Sequence, residues 1–508
     1  MAKSQNAVLI SRGTPAADHG DFQYSPRHIE PTFRRCAFLV LLLFIPLFLS
    51  LKPDVIADPD VWWHLRTGQW IVQHHAIPIT DPFSAYGAGK PWVPYSWIFE
   101  LAVYACYRGF GLAGIVYFQL ALTFAIALAI FALVRRVDAT PWKSFALTSS
   151  AMLAMIPMFA PRPWLFSMLF LTLELHILLR ARETGQGRQL WLLPLIFALW
   201  ANIHVQFVYG LLVLGIAVIE AVLLHFLRPT MADGPWMPPR RMWMITVACF
   251  AATLVSPYGL EIYKVIAELG AQSRALALVT EFHAPRFQNI ADYLVLAMAM
   301  AGVFALAWRR DLRPFNVLLL AASVVISFRM ARDVWVVVIV AAALISSYAE
   351  PVDERLSRTS KLQWLAVTAI VVVIALITVR IRDLSGRELA RVVESNYPVR
   401  AADYVAYHQL AGPLYNDFDW GGYLIWALPR LPVSMDGRTN VHGDERIQRS
   451  YSTWMAGSGW AEDKELSAAN VVIANVQLPL ARALRRDSRF RLAYEDKVAA
   501  VFVSAGTK

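Results

Sequence analysis

Apolar runs of roughly eighteen or more residues, each long enough to cross a bilayer, recur along most of the chain. They predict spans at Cys36–Leu51, Leu112–Val134, Ser144–Phe159, Trp164–Leu179, Leu190–Trp200, Val205–Leu227, Met242–Val255, Ile290–Trp308, Phe315–Ser327, Val334–Ser347 and Leu362–Val379, about eleven in all. Trp97–Tyr107 is apolar but short, and reads as a helix lying in the interface. After Asp383 the pattern changes. "VRAADYVAYHQL" has helical periodicity, whereas Val433–Asp436, Asn470–Val476 and Val498–Ser504 are short β-rich runs separated by helical stretches such as "PLARALRRD". "DWGGYLIW" and "MDGRTNVHGDE" read as glycine turns among charges. The expectation is a polytopic α-helical membrane protein with a C-terminal extracytoplasmic α/β domain whose sheet is at least partly parallel.

Charge orients the spans. With the N-terminus inside, the inner loops carry Arg135, Arg136 and Lys143, the Arg180/Arg182/Arg188 cluster, Arg228 with Arg240 and Arg241, Arg309, Arg310 and Arg313, and Arg355, Arg358 and Lys361. Every strongly basic short loop is then cytoplasmic, as the positive-inside rule expects. The chain divides into a basic, cytoplasmic and flexible tail (1–35), a transmembrane part (36–380) with a long first outer loop (52–111), and an outer domain (381–508). Composition agrees: 57% of residues are hydrophobic and 17% charged, against about a quarter charged in soluble domains. The net charge of +10 is set by loop placement and calls for no nucleic acid. Three cysteines in or beside apolar segments imply neither a disulfide framework nor a metal cluster. No Gly-rich nucleotide loop is present, so a soluble nucleotide donor is not supported.

The unusual polar residues cluster on the outer side. "DPDVWWHLRTGQW" follows the first span and places Asp58, Asp60, His64 and Arg66 among three tryptophans. A solvated turn with interfacial anchors is the plain reading. A carboxylate at a lipid–water boundary can also act as a general base on an acceptor, or help bind a divalent metal such as magnesium or manganese through Asp58 and Asp60. The same loop carries His74, His75, Asp81 and Lys90. Lys90 is either a point charge for a phosphate or a snorkelling side chain. Later outer loops carry Arg162 between two prolines, His204 and Gln206, then Glu281, His283 and Arg286, and finally Arg329 and Arg332. Singly each is an ordinary helix-end residue. Together they are cations converging with acids on one leaflet, as binding of a phosphate headgroup requires. Glu174, His176, Glu220 and His225 lie within spans and read as paired or snorkelling.

"ADPDVWWHLRTGQWIV" and "GKPWVPYSWIFEL" resemble the first outer loop of the GT-C superfamily of membrane glycosyltransferases, which includes protein O-mannosyltransferases, the oligosaccharyltransferase catalytic subunit and the aminoarabinose transferase acting on lipid A. More closely, "DPD.WWHL.TG.WI", "IP.TDPFS", "W.N.H", "SPYG" and "WGGYLIW…DGR" resemble a set of bacterial GT-C-like proteins over nearly the whole chain. The resemblance implies a bacterial inner-membrane enzyme that moves a sugar, with inversion, from a polyprenyl-phosphate donor to a lipid or glycan acceptor on the periplasmic face. The spacing from Asp60 to Lys90 resembles the family's spacing from acid to lysine better than that from Asp58, so the resemblance favours Asp60 as the family acid with Asp58 as its partner. Lys90, Arg162, Arg329 and Arg332 are then candidates for the donor phosphate. His64, His204, Glu281, His283 and Arg286 are candidates to line the cavity. The next outer loop, "APRPW", lacks the second acid the superfamily often has. Either Asp58 or Glu281 replaces it, or phosphate and metal handling differs, or activity is lost. A lipid-sugar or polysaccharide transporter and an inactive scaffold are the competing readings.

Overall fold

The computed structural model describes residues 52–136, 141–227, 238–271, 277–310, 313–348 and 382–506, with single positions at 44, 48 and between 365 and 380. Over these the chain is mostly helical with one small sheet. The tail and the expected spans Cys36–Leu51 and Leu362–Val379 lie outside the described residues apart from those single positions.

The long first loop is built from two helices. Pro59, its φ already helical, stands at the N-cap of α1 (Asp60–His74). Helix α2 (Trp97–Phe110), the expected interfacial helix, packs along α1 and then meets α3 (Leu112–Arg135). Between them the strap from Thr80 to Trp92 folds back on itself, with Asp81 N–H donating to the Lys90 carbonyl at 3.1 Å.

The helical body continues with α4 (Pro141–Ala154), α5 (Trp164–Thr184), α6 (Leu193–Ala201), α7 (Phe207–Leu227), α8 (Pro239–Thr253), α9 (Glu261–Ala271), α10 (Ile290–Arg309), α11 (Pro314–Arg329) and α12 (Val334–Ser347). Among the described residues four helices, in α3, α5, α7 and α10, are long and apolar enough to cross a membrane. The 24 residues of α3 reach roughly 36 Å, beyond the ~30 Å hydrocarbon core. Other expected spans fall short of that length. Ser144–Phe159 stops as a helix at Ala154 because Pro157 breaks the ladder into a short 3-10 turn. Leu190–Trp200 divides into a 3-10 segment, Gly187–Leu192, and α6. Helix α12 is apolar all round and sits as the buried centre, packed by α3, α4, α10 and α11. Glu220 pairs with Arg182 as expected. Glu174, by contrast, is fully buried and neither of its oxygens has a hydrogen-bond partner.

The C-terminal segment adds α13 (Gly386–Asn396), α14 (Val399–Tyr407), β1 (Leu414–Asn416), α15 (Phe418–Ala427), α16 (Asp444–Trp454), β2 (Val471–Asn475), α17 (Pro479–Leu484), β3 (Phe490–Glu495) and β4 (Ala499–Ser504). The sheet order is β1-β2-β4-β3, with β1 and β2 parallel and the other pairs antiparallel. Alternation splits β2 between two layers. Val471 and Ile473 face the main core shared with the helical body, whereas Val472 and Ala474 face Trp454, Leu480 and Phe502.

Two expectations change here. Val433–Asp436 does not join the sheet; it lies along the first loop, where Ala85 N–H donates to the Val433 carbonyl at 2.9 Å and Val433 N–H to the Phe83 carbonyl at 3.2 Å. Asp419–Trp426 is helix rather than glycine turn, because its glycines serve close approach. A Cβ on Gly421 would lie 1.9 Å from the Met435 carbonyl oxygen, and one on Gly422 would lie 2.4 Å from that of Pro59.

The same interface carries a buried ion triad. Arg438 Nη1 donates to Asp81 Oδ1 at 2.7 Å, and its Nη2 and Nε donate to Asp436 at 2.8 Å each. Its guanidinium stacks over the rings of Trp92 (4.6 Å) and Phe83 (5.2 Å). Burial alone would raise the Asp436 carboxyl, but Arg438 and His442 hold it well below the usual carboxylate range. Arg438→Ala leaves two buried carboxylates without their cation, an expected loss of about 3–5 kcal/mol. Thermal unfolding of the detergent-solubilised protein checks this, and an unchanged melting temperature would place the interface's stability elsewhere.

Candidate active site

At the start of α1 the backbone aims two carboxylates the same way. Asp60 N–H donates to Asp58 Oδ1 at 2.9 Å across Pro59, and one turn later Trp63 Nε1 donates to Asp60 Oδ1 at 3.1 Å. Arg162, fixed between Pro161 and Pro163, takes the remaining oxygens. Its Nε reaches Asp58 Oδ2 at 2.6 Å and its Nη1 reaches Asp60 Oδ2 at 2.8 Å. The same Nη1 donates to Glu281 Oε2 at 3.1 Å. Glu281 thus arrives from a distant loop to place a third acid on one guanidinium. Arg332 Nη1 stands 3.8 Å from Glu281 Oε1. Both guanidiniums lie over the Trp164 ring, Arg162 at 4.8 Å and Arg332 at 6.0 Å.

Three carboxylates and two guanidiniums leave a surplus of negative charge. Burial pushes the Asp60 carboxyl up to about 7; Arg162 opposes this, and the charges of Asp58 and Glu281 add to it. A fifth of the Asp60 side chain stays open, enough to meet a ligand. All four oxygens of the Asp58–Asp60 pair are engaged, so as built they hold a guanidinium. A divalent cation between them requires Arg162 to withdraw. Among the described residues no group of three or more His, Cys, Asp or Glu is arranged to hold a metal.

Asp60 opens into a cavity of about 850 Å³. His64, Arg162, His204, Glu281, Arg329 and Arg332 line it as well. His204 is oriented by Ser167, whose hydroxyl lies 2.8 Å from Nδ1 and also accepts from Trp200 Nε1 at 2.8 Å. Burial, with Arg332 nearby, pushes the His204 imidazole well below its usual range. Asp58 lies behind Arg162 rather than on the wall. Lys90 is not brought to this cavity: the fold-back of its strap leaves it exposed, 3.1 Å from the centre of the Tyr86 ring. His283 and Arg286 bond to each other away from the wall, and His283 Nε2 donates to the Ala277 carbonyl at 2.8 Å.

Several wall residues were not singled out from the sequence. Asp417 and Asp419 enter from the start of α15. Burial and the adjacent Asp419 push the Asp417 carboxyl up to about 7. Burial also raises Asp419, with Arg162 opposing. Gly437, between the Asp436 and Arg438 of the triad, comes so close that a Cβ there would lie 2.3 Å from Asp60 Oδ1. Ser96 and Glu100 come from α2. The available signal was Glu100, the one acid of that helix, within its apolar first turns.

No family model matches the chain, and no curated protein does. Solved structures do. The oligosaccharyltransferase of Archaeoglobus fulgidus, crystallised with zinc and sulfate, matches at a TM-score of 0.51 and 13% identity, over 91% of this chain and 73% of that one. ArnT from Cupriavidus metallidurans matches in its apo state at a TM-score of 0.47 and 14% identity, over 93% of this chain and 98% of that one. Bound to undecaprenyl phosphate, ArnT matches at a TM-score of 0.39 and 12% identity, over 94% and 99%. The oligosaccharyltransferase likeness shows that the chain has a GT-C fold.

Two outcomes follow from this geometry. Gly437→Ala drives the Asp60 carboxylate off Arg162 and Trp63. Asp60 titration then shifts while the melting temperature falls less than in Arg438→Ala, as pH-dependent melting can measure. In the native protein Asp60 and Asp417 keep protons that the unfolded chain releases between the ordinary 3.8 and about 7. The native state binds more protons in that window, so stability falls as pH rises through it and levels off above. Asp60→Asn and Asp417→Asn should each flatten part of that slope. A slope of the opposite sign would contradict the arrangement.

Proposed function

We propose that this protein is a membrane glycosyltransferase that moves a sugar from a polyprenyl-phosphate donor to an acceptor on the outer face of a bacterial inner membrane. The observation that carries the reading is Asp60, a partly open carboxyl titrating near 7, at a cavity shared with Arg162, Arg329 and Arg332. The likeness in fold to an oligosaccharyltransferase supports it.

In this reading the acceptor hydroxyl or amine gives its proton to Asp60 and attacks the anomeric carbon. The new bond forms as the bond from that carbon to the phosphate oxygen breaks, with inversion. The phosphate leaves as an anion toward Arg332 and the exposed Arg329. Arg162 holds Asp60 in line and is the charge that lets Asp60 ionise at all. Ile266 and Leu269 of α9, with Leu278, supply an apolar wall suited to a prenyl chain. The C-terminal segment, placed on the periplasmic side, closes the cavity with Asp417 and Asp419 and selects the acceptor.

A transfer assay with a panel of polyprenyl-phosphate sugars tests this. Asp60→Asn should lower kcat by roughly 10²–10⁴-fold, the usual contribution of a positioned base. Transfer equal to wild type would sink the assignment. Because Asp60 acts ionised, kcat/KM should rise with pH through an acid limb near 7, and that limb should vanish in Asp60→Asn. Arg329→Ala should raise KM for the donor more than it lowers kcat.

A further inference from the structure

Buried polar side-chain atoms are nearly always bonded, and an orphan in a cavity wall points to something that binds there. Two residues of the cavity wall at the start of α2 carry such atoms. Ser96 Oγ and Glu100 Oε2 are buried and have no hydrogen-bond partner. Both residues are almost wholly buried, Ser96 at 1% and Glu100 at 0% exposure. Ser96 is the N-cap of α2, where a serine ordinarily accepts from the backbone, yet its side chain makes no capping bond. Its hydroxyl is withheld from the helix. Glu100 lies one turn further along the same face.

Helix α1 supplies the link to the reacting end. His64 follows Asp60 by one turn on the same face, and its Nδ1 lies 3.3 Å from Glu100 Oε1. Asp60, His64, Glu100 and Ser96 therefore form one polar line, with Trp63 and Trp92 also on the cavity wall. Burial pushes Glu100 well above the usual carboxyl range, and burial with Arg162 and His204 pushes His64 well below its own. Burial thus disfavours charge on this polar floor. Arg438 also lines the cavity, but Asp81 and Asp436 occupy its guanidinium.

We propose that this floor is a subsite for an uncharged sugar ring, its hydroxyls bonded to Glu100 Oε2 and Ser96 Oγ and its faces covered by Trp63 and Trp92. A uronic acid is rejected, because its carboxylate would be buried beside Glu100, where the Arg438 guanidinium is already taken by Asp81 and Asp436. The ring belongs to the donor or to the acceptor of the transferase reading, on which this inference rests for its source but not for the binding itself.

The test is direct binding to the full-length protein in detergent, read by saturation-transfer NMR titration. The probes are neutral methyl hexosides of gluco, galacto and manno configuration and the matching methyl uronides. At least one neutral hexoside should bind, with its uronide at least tenfold weaker. Ser96→Ala and Glu100→Leu should each weaken that hexoside by about tenfold, and Glu100→Gln should recover most of the loss. Ser96→Ala removes one oxygen and keeps the core, so it decides the matter even where Glu100→Leu does not fold. Failure of every neutral hexoside to bind, equal binding of hexoside and uronide, or unchanged binding in Ser96→Ala overturns the subsite. Competition by the hexoside against the polyprenyl-phosphate sugar places the donor's ring there, and competition against the acceptor places the acceptor's. Binding as described without any transfer defeats the transferase reading and leaves the subsite. Transfer with unchanged KM values in Ser96→Ala defeats the subsite and leaves the transferase.

Discussion

The Arg438 guanidinium, buried between Asp81 of the first loop and Asp436 of the C-terminal segment, is the contact on which the site depends. A cation so placed cannot be removed without stranding two carboxylates in a dry interface. By tying the segment to the loop it fixes Gly437 against Asp60, and it helps to set α15 against α1. The cavity wall is therefore made jointly. The helical body supplies Arg162, His204 and Arg332, the loop supplies Asp60 and Glu100, and the C-terminal segment supplies Asp417 and Asp419.

Within that frame the charges around Arg162 set the chemistry. One guanidinium serves Asp58, Asp60 and Glu281, so it holds the acids together without neutralising them all. Asp58 is the most enclosed of the three and holds the arginine in place. Asp60, more open, is left near its titration point. The loop that lacks a second acid supplies the arginine, and Glu281 meets that arginine from a distant loop. One turn further along α1, burial disfavours charge on the His64–Glu100 pair.

The motifs noted along the chain acquire physical reasons from these contacts. "TDPFS" and "DGR" are two halves of one ion triad: Asp81 and the Phe83 ring on one side, Asp436 and Arg438 on the other. "WGGY" is helical, and its glycines admit the backbones of Pro59 and Met435 where a Cβ would collide. The asparagine of "W.N.H" is also accounted for, since Asn202 accepts from Trp97 Nε1 at 2.9 Å and donates to the Val255 carbonyl at 2.7 Å. It ties α2 to the end of α8.

Much of the architecture could be read from local pattern alone. Hydrophobic runs long enough for a bilayer, the helix at Trp97 and the strands at Val471 and Ala499 all follow from spacing and burial chemistry that neighbours in sequence express. Lengths and breaks were less legible, because Pro157 and the core position of α12 shorten helices that hydropathy extends. The strand expected at Val433 had the right residues, but the first loop supplied its hydrogen-bond partner instead of the sheet. Which charges meet was decided only in three dimensions. Lys90 lies near Asp60 in the chain and faces away, since a fold-back of a few residues reverses its direction. Arg162 and Glu281 stand 119 positions apart and share a hydrogen bond. The sequence by itself marked Asp60, Arg162, His204, Glu281 and Arg332 as candidates and passed over Asp417, Asp419, Ser96 and Glu100. Tertiary packing decided which of them share a cavity, because burial makes pairing obligatory and pairing across distant loops leaves no local trace.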